Sequence, residues 1–315
     1  MKAVVYDRHN HPNKLVFQNV DKPVPNDDEV LIKIHSASVN ALDYRSIQMG
    51  IGIPKSRIFG ADIAGHVEAI GKNIHSFHPG DNVFGGILGC GLGGFSEYVA
   101  VPQNSLIMIP DNVSFDEAAT LPVAGITALQ ALRNRGNIQK GQKVLINGSG
   151  GGVGTFAIQL AKFFGAEVTA VCSTHNVELA RSLGSDHVID YTKENFTRSN
   201  NRYDLILAIN GYHPLSHYKR SLSTAGICVM VGGKISQLVI SILFGPLMFL
   251  GKKKFRTLMA KSSSSDLRFL IDLVKSGEIK PIIDRRYPLE ETSEAVRYLS
   301  EGHAKGKVLI TVLKI

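Results

Sequence analysis

Gly141-Gln-Lys-Val-Leu-Ile-Asn-Gly-Ser-Gly-Gly-Gly-Val-Gly154 reads as an apolar strand that ends in a glycine loop and turns straight into a helix. Val144, Leu145 and Ile146 show no polar alternation, so both faces of that strand are expected to be covered, as in a parallel sheet. The loop after it aims free backbone N–H groups and the positive end of a helix dipole at an anion. Glycine is needed there because a Cβ blocks both the tight turn and the approach of phosphates. Set against the dinucleotide pattern GxGxxG, the chain supplies Ser149, Gly151 and Gly154, with Ser149 replacing the first glycine. A strand before the loop and a helix after it are the context that pattern requires.

The texture on either side extends the reading. After the loop come a helix over 153–164, a strand at 167–172, a helix over 177–183, and apolar strands at 204–209 and 228–231. Short apolar strands alternating with helices predict a doubly wound parallel sheet, the Rossmann arrangement. The preceding residues are β-rich and punctuated by glycine, with strands at 2–6, 29–37, 62–70, 82–84 and 97–101, then helical turns at 116–119 and 126–132. From 281 the chain returns to strand (281–285), helix (293–300) and strand (307–312), and is expected to rejoin the first domain. The fold class is therefore α/β: a β domain in two pieces, 1–122 and 267–315, around a nucleotide-binding domain over 123–266.

Composition fits that class. The 315 residues are 44% hydrophobic and 20% charged, the balance of a soluble globular protein. Cys90, Cys172 and Cys228 match no metal or redox spacing, and so sparse a count argues against a secreted disulfide scaffold. MKAVVYD at the start reads as a strand, without a basic region and apolar signal core, so a cytoplasmic or stromal location is expected. The net charge of +8 favours acidic partners such as phosphorylated cofactors. No basic block with interleaved aromatics is present, so no nucleic-acid partner is expected.

The second strand decides the nucleotide. An NAD site carries Asp or Glu at that strand's end, roughly 20 residues beyond the loop. Here the strand ends in Cys172-Ser-Thr-His-Asn176, and the nearby acid, Glu167, stands at its other end. A neutral, hydroxyl-rich corner does not repel a 2′-phosphate, and Ser173, Thr174 and Asn176 have donors for one. NADPH is expected, with NADH as the alternative because no Arg or Lys stands at the corner.

GQKVLINGSGGGVGTFAIQLAK (141–162) resembles the signature of the quinone-oxidoreductase/ζ-crystallin family of zinc-free medium-chain reductases. The similarity extends through SVNALDYR (38–45), FGADIAGHVEAIG (59–71), AATLPVAGITALQAL (118–132), VIDY (188–191) and EGHAKGKVLI (301–310). IKPIIDRRYPLEE (279–291) is similar to the subgroup of plant chloroplast-envelope homologues. The resemblance implies a GroES-like β domain interrupted by the Rossmann domain, an active site in the cleft between them, and a homodimer. It implies Asn40 and Thr127 near the nicotinamide and its ribose, and Gly151, Gly152 and Val153 at the pyrophosphate. Ser173, Asn176 and Tyr191 fall at the adenosine phosphate, although many relatives have Lys where Asn176 stands. Asn210, Val231 and Gly232 follow the fourth and fifth strands, and Lys305 with Lys307 is expected to reach cofactor or substrate oxygens. Zinc-dependent relatives carry an early Cys, a Gly-His-Glu motif and a four-Cys lobe. This chain has Asn40 and Asp43 in the early segment, Gly60-Ala61-Asp62 at the motif and no such lobe, so no metal is expected. The implied reaction is hydride transfer from NADPH to a small quinone or α,β-unsaturated carbonyl.

Asn40, Asp43 and Tyr44 are the catalytic candidates. Asp43 serves either as a proton relay or as a carboxylate that orders its segment through backbone bonds, the second being preferred. Tyr44 lines the cleft or packs. His213 and His217, four apart, are read as surface histidines. The apolar run from Leu238 to Leu250 is too short to span a bilayer, and Lys252-Lys-Lys-Phe-Arg256 follows it. A pocket wall, a dimer contact and a peripheral membrane anchor stay open for it. The rival to an enzyme is a nucleotide-binding scaffold or membrane-associated protein that keeps the fold without turnover.

Overall fold

The computed structural model describes residues 1–9, 14–209, 213–233 and 251–313, so Asn210 and the run from Leu238 to Leu250 lie outside the described residues. The strands are β1 (Lys2–Tyr6), β2 (Leu15–Asn19), β3 (Glu29–Val39), β4 (Asp62–Ile70) and β5 (Asn82–Gly86). They continue as β6 (Tyr98–Pro102), β7 (Leu106–Met108), β8 (Lys143–Asn147), β9 (Glu167–Cys172) and β10 (His187–Asp190). The last are β11 (Tyr203–Ala208), β12 (Leu222–Met230), β13 (Lys254–Thr257), β14 (Ile283–Pro288) and β15 (Lys307–Thr311). The helices are α1 (Ala41–Met49), α2 (Phe115–Thr120), α3 (Ile126–Leu129) and α4 (Gly152–Phe163). They are followed by α5 (Val177–Ser182), α6 (Leu215–Ser221), α7 (Ser264–Lys275) and α8 (Thr292–Ser300). Two compact units result, Met1–Ile126 with Ser262–Ile315, and Thr127–Lys261.

In the first unit, β3 is the hub of a seven-stranded sheet of order β14-β15-β3-β4-β5-β7, with β6 also on β3. Val30, Ile32, Ile34, Ala37 and Val39 of β3 are buried, which is why so long a strand holds one register. That register sets Ser38 opposite Asp62 of β4 and Val39 opposite Val308 of β15. Residues far apart in sequence thus meet at the end of β3, where Asn40 starts α1 and Gly50, at φ +66°, closes it. Ser114 caps α2 through a box with Glu117, the hydroxyl accepting the Glu117 N–H at 3.2 Å and the Ser114 N–H donating to Glu117 Oε2 at 3.0 Å. Ser263 caps α7, its hydroxyl accepting the Asp266 N–H at 3.2 Å.

The second unit is a six-stranded sheet of order β10-β9-β8-β11-β12-β13 in which every neighbouring pair is parallel. Numbered from β8, this is the doubly wound order 3-2-1-4-5-6, and its direction of winding reverses between β8 and β11. Val144, Leu145, Ile146, Leu205, Ile206 and Leu207 are fully buried, as expected for central strands covered on both faces. The edge strand β13 takes up the end of the basic run after Gly251. Lys253 donates from Nζ to the Lys219 and Leu222 carbonyls at 2.8 and 2.9 Å, so it caps the C-terminal end of α6. Among the described residues no helix is long and apolar enough to cross a membrane.

The loop between β8 and α4 contains two glycines with opposite reasons for being glycine. A Cβ on Gly154 would overlap the Gly148 carbonyl oxygen and stand 2.6 Å from Ser149 Cα, both backbone atoms that cannot yield. A Cβ on Gly151, whose φ is an ordinary −86°, would meet nothing within 4 Å among the described residues. Gly154→Ala is therefore expected to lower the unfolding free energy by roughly 1–3 kcal/mol through overpacking, with Gly151→Ala close to the parent. Denaturant unfolding of the two variants checks this contrast, and equal stabilities would contradict it.

Candidate functional site

The carboxyl edge of the parallel sheet is where the loops meet. Gly148 takes the left-handed turn at φ +94°, so the turn that the pattern assigns to its first glycine is made one residue earlier than Ser149. Ser149 anchors the loop instead: its N–H and hydroxyl, with the Gly148 N–H, all donate to the Val171 carbonyl at 3.0–3.1 Å. Gly151 is the N-cap of α4, and among the described residues no side chain caps this helix. Its first N–H groups are left for another acceptor, and the space a Cβ would fill at Gly151 is open. Gly152 and Val153 follow, both half-buried. The Ile209 N–H donates to the Asn147 carbonyl at 2.9 Å, and the Val231 N–H to the Ala208 carbonyl at 2.9 Å. The first residues after β8, β11 and β12 are thereby set side by side at the reversal point, where open α/β sheets hold ligands. An uncapped helix behind an open glycine cradle fits a dinucleotide pyrophosphate.

At the neighbouring corner, the structure corrects the reading of a neutral site. Asp190 ends β10 directly opposite Cys172 of β9, so a carboxyl group stands one strand away from the corner. Thr174 does not offer its hydroxyl outward, because it donates to Asp190 Oδ2 at 2.6 Å. The Thr192 hydroxyl and N–H donate to Oδ1 at 2.7 and 3.0 Å. Led by the Thr174 bond, these donors hold the Asp190 carboxyl down at about 2. Asn176 lies against Gly150, where a Cβ would come within 2.5 Å of its Nδ2. That Nδ2 donates to Ser173 Oγ at 3.3 Å, whereas Oδ1 is buried without a partner. Tyr191 is exposed. Asp190 stood in the VIDY motif, and its signal was an acid closing a third strand that the sequence reading did not assign.

In the first unit, the sheet register assembles a buried polar cluster. Asn40, Asp43, Asp62, Ser38 and Lys307 are all at most 5% exposed. Lys307 Nζ donates to Asn40 Oδ1 at 2.6 Å and lies 3.4 Å from Asp62 Oδ2. Asp62 Oδ2 also accepts the Ser38 hydroxyl at 2.6 Å and Asn40 Nδ2 at 2.8 Å, and Oδ1 accepts the Val123 N–H at 3.0 Å. The Lys307 ammonium can only donate, so it fixes which end of the Asn40 amide is oxygen. The other end donates to Asp62 and, at 3.4 Å, to the Ser38 carbonyl. Burial lowers the Lys307 pKa, opposed by Asp62 and Asp43. Its ammonium is spent inside the protein, contrary to the expectation that it reaches ligand oxygens. Lys305 is exposed, and its N–H donates to Asp284 Oδ2 at 3.0 Å.

Asp43 is fully buried and accepts the Asn40 N–H at 2.7 Å and the Gly60 N–H at 3.2 Å, so it ties α1 to the turn before β4. Tyr44 packs on the core of this unit with the Arg45 guanidinium 5.7 Å from its ring centre. Thr127, in α3, is half-buried. His213 is half-buried, its ring packing 4.9 Å from Phe196, and burial lowers its pKa. Among the described residues no group of three or more His, Cys, Asp or Glu stands ready to hold a metal. At the position of the Gly-His-Glu motif, Asp62 meets an ammonium, an amide, a hydroxyl and a backbone N–H, so this donor set does not fit zinc.

Burial pushes the Asp43 carboxyl up to about 7, against the two amide donors that favour its ionised form. An Asp titrates near 4 in the unfolded chain. Folding then favours the protonated form, so this group's contribution to stability is full below about pH 4 and is lost as the pH rises to 7. The unfolding free energy is expected to fall between about pH 4 and 7. Asp43→Asn is expected to flatten that slope while costing about 1–3 kcal/mol at every pH for the amide bond it forfeits. An unchanged slope in the variant would remove Asp43 as its source.

Known proteins share both halves of this architecture. Residues 26–111 match the alcohol dehydrogenase GroES-like domain family, and residues 183–310 match the family described as zinc-binding dehydrogenase. A chloroplast envelope quinone oxidoreductase homologue of Arabidopsis thaliana is 33% identical over 92% of this chain and 92% of its own. An NADPH-dependent alkenal/one oxidoreductase of the same plant is 32% identical over 98% of this chain and 79% of its own. The solved quinone oxidoreductase of Coxiella burnetii superimposes with a TM-score of 0.89 at 29% identity, covering 99% of each chain. This chain belongs to the quinone-oxidoreductase family of medium-chain dehydrogenases/reductases.

Proposed function

We propose that the chain is an NADPH-dependent reductase that delivers hydride to a small quinone or α,β-unsaturated carbonyl without zinc. It is an oxidoreductase with a nicotinamide cofactor and a small-molecule substrate, as its family membership entails. The observation that carries the reading is the uncapped start of α4 behind the open space at Gly151. Gly151, Gly152 and Val153 take the pyrophosphate, and Ser173, Asn176 and Tyr191 the adenosine end. Following the family resemblance, Asn40, Thr127, Val231 and Gly232 serve the nicotinamide end.

The bound nicotinamide supplies the hydride. Lys307 and Asp62 orient the Asn40 amide, its oxygen taking the Lys307 ammonium and the start of α1, and its hydrogens going to Asp62 and the Ser38 carbonyl. With both amide hydrogens engaged, Asn40 is not the donor to a developing anion. That anion is met by backbone N–H groups and water, which suffices for a conjugated substrate whose charge is spread over several atoms. Asp43 holds the segment that carries Asn40 and stays a positioning residue.

Two measurements test this. NADPH oxidation with a panel of small quinones and enones should proceed undiminished in the presence of a strong chelator, and turnover that zinc restores after chelation would overturn the zinc-free reading. Nucleotide titration should give NADPH binding at least as tight as NADH. Gly151→Ala is expected to weaken both about tenfold by filling the cradle, and Asn176→Lys to raise the NADPH:NADH ratio by adding a cation beside the 2′-phosphate. Tighter NADH binding by the parent would refute the NADPH assignment.

A further inference from the structure

Asp190 makes no bond to the phosphate loop; its carboxylate accepts the Thr192 N–H and so holds the turn after β10. Its partner across the parallel register, Cys172, ends the strand on which an NAD-type site carries its ribose-binding acid. The carboxylate is thus displaced sideways by one strand, roughly 5 Å, from the place where it would bond a ribose hydroxyl. At that range it still acts on a 2′-phosphate through its charge. Thr174 and Thr192 hold it at 2.6 and 2.7 Å, and the low pKa of about 2 means that the charge persists across the working pH range. Lys193 lies 3.6 Å away, but its side chain is 72% exposed and offsets that charge only weakly. Asn176 adds a buried acceptor without a partner, which a ribose hydroxyl can satisfy and a phosphate oxygen cannot. Ser173 and the exposed Tyr191 remain for the phosphate.

We propose that Asp190 and Thr174 set the nucleotide selectivity: the Asp190 charge penalises the 2′-phosphate and keeps NADH usable, and the Thr174 hydroxyl that covers Oδ2 limits the penalty. This rests on the dinucleotide reading of the phosphate loop. Removing the charge with Asp190→Asn keeps the shape, the amide oxygen accepting from Thr192 and Nδ2 donating to Thr174 Oγ1 in a reversed bond. Removing the cover with Thr174→Val leaves the charge less satisfied. The two variants should therefore shift the NADPH:NADH ratio in opposite directions.

The chain has no tryptophan, so the fluorescence of the reduced nicotinamide reports binding without overlap. Dissociation constants for NADPH and NADH are measured with the full-length parent and both variants at low and high salt, alongside their unfolding midpoints. Asp190→Asn is expected to tighten NADPH at least about threefold with NADH little changed, and this gain should shrink at high salt. Thr174→Val is expected to weaken NADPH with NADH little changed. If Asp190→Asn does not fold, Thr174→Val decides alone. Ratios within about twofold of the parent in the folded variants overturn the assignment of Asp190 and leave the cofactor reading intact. A parent that binds neither nucleotide overturns the cofactor reading and this inference with it.

Discussion

A helix that begins without a side-chain cap must find another acceptor for its first N–H groups, and the Thr127–Lys261 unit is arranged around keeping that place clear. Gly148 makes the left-handed turn, Ser149 ties the loop to the Val171 carbonyl, and Gly154 lets α4 rest on the loop backbone. Each fixes the loop from behind. Among the described residues none stands in front of Gly151, where a Cβ would meet nothing within 4 Å. The buried strands β8 and β11 make the platform, and the bonds from Ile209 and Val231 bring the first residues after β11 and β12 to the same edge. Such an arrangement binds an anion with little reorganisation, because the N–H groups are aimed before the ligand arrives.

The first unit solves a different problem, that of a charge buried out of water. Lys307 and Asp62 are at most 3% exposed, and desolvating both costs more than a comparable apolar pair would. Breaking such a pair by removing one partner typically costs about 3–5 kcal/mol, while replacing both by packed apolar groups is often neutral. Stability alone therefore does not account for it. What the pair does provide is direction: with an ammonium at one end and a carboxylate at the other, the Asn40 amide has one orientation. Asp43, bonded to the Asn40 and Gly60 amides, fixes the backbone on which that side chain stands.

How much of this was legible follows from the range of each interaction. The phosphate loop is local, written in fourteen consecutive residues from Gly141 to Gly154, and its strand and helix lie where the sequence pattern puts them. The strands β1, β4 and β9 begin and end at the expected residues because their apolar patterns are sharply bounded. The edge strand β13, Lys-Phe-Arg-Thr, has no apolar run to announce it and exists through its pairing with β12. Helix α1 escaped the reading because its polar sequence carries its own cap in Asn40 and Asp43 instead of an apolar face. The cluster of Asn40, Asp62 and Lys307 spans separations of 22, 245 and 267 residues, and the register of β3 against β4 and β15 is what closes them. Asp190 was visible as a letter, but its meaning depends on lying opposite Cys172.

These features bear together on which substrates the proposed chemistry can serve. A carbonyl that accepts hydride develops a full negative charge on oxygen, and a zinc site meets it with a Lewis acid. The corresponding part of this chain holds a cation, but Lys307 is already matched by Asp62 and buried, so its field is largely cancelled beyond the pair. Asn40 has both amide hydrogens engaged and cannot donate without breaking that arrangement. The protein therefore brings little concentrated positive charge from these side chains to an isolated oxyanion. A quinone or enone spreads the incoming charge over its own conjugated frame and asks only for positioning and ordinary hydrogen bonds. A simple ketone asks for stabilisation that this cluster has already spent on holding one amide in place.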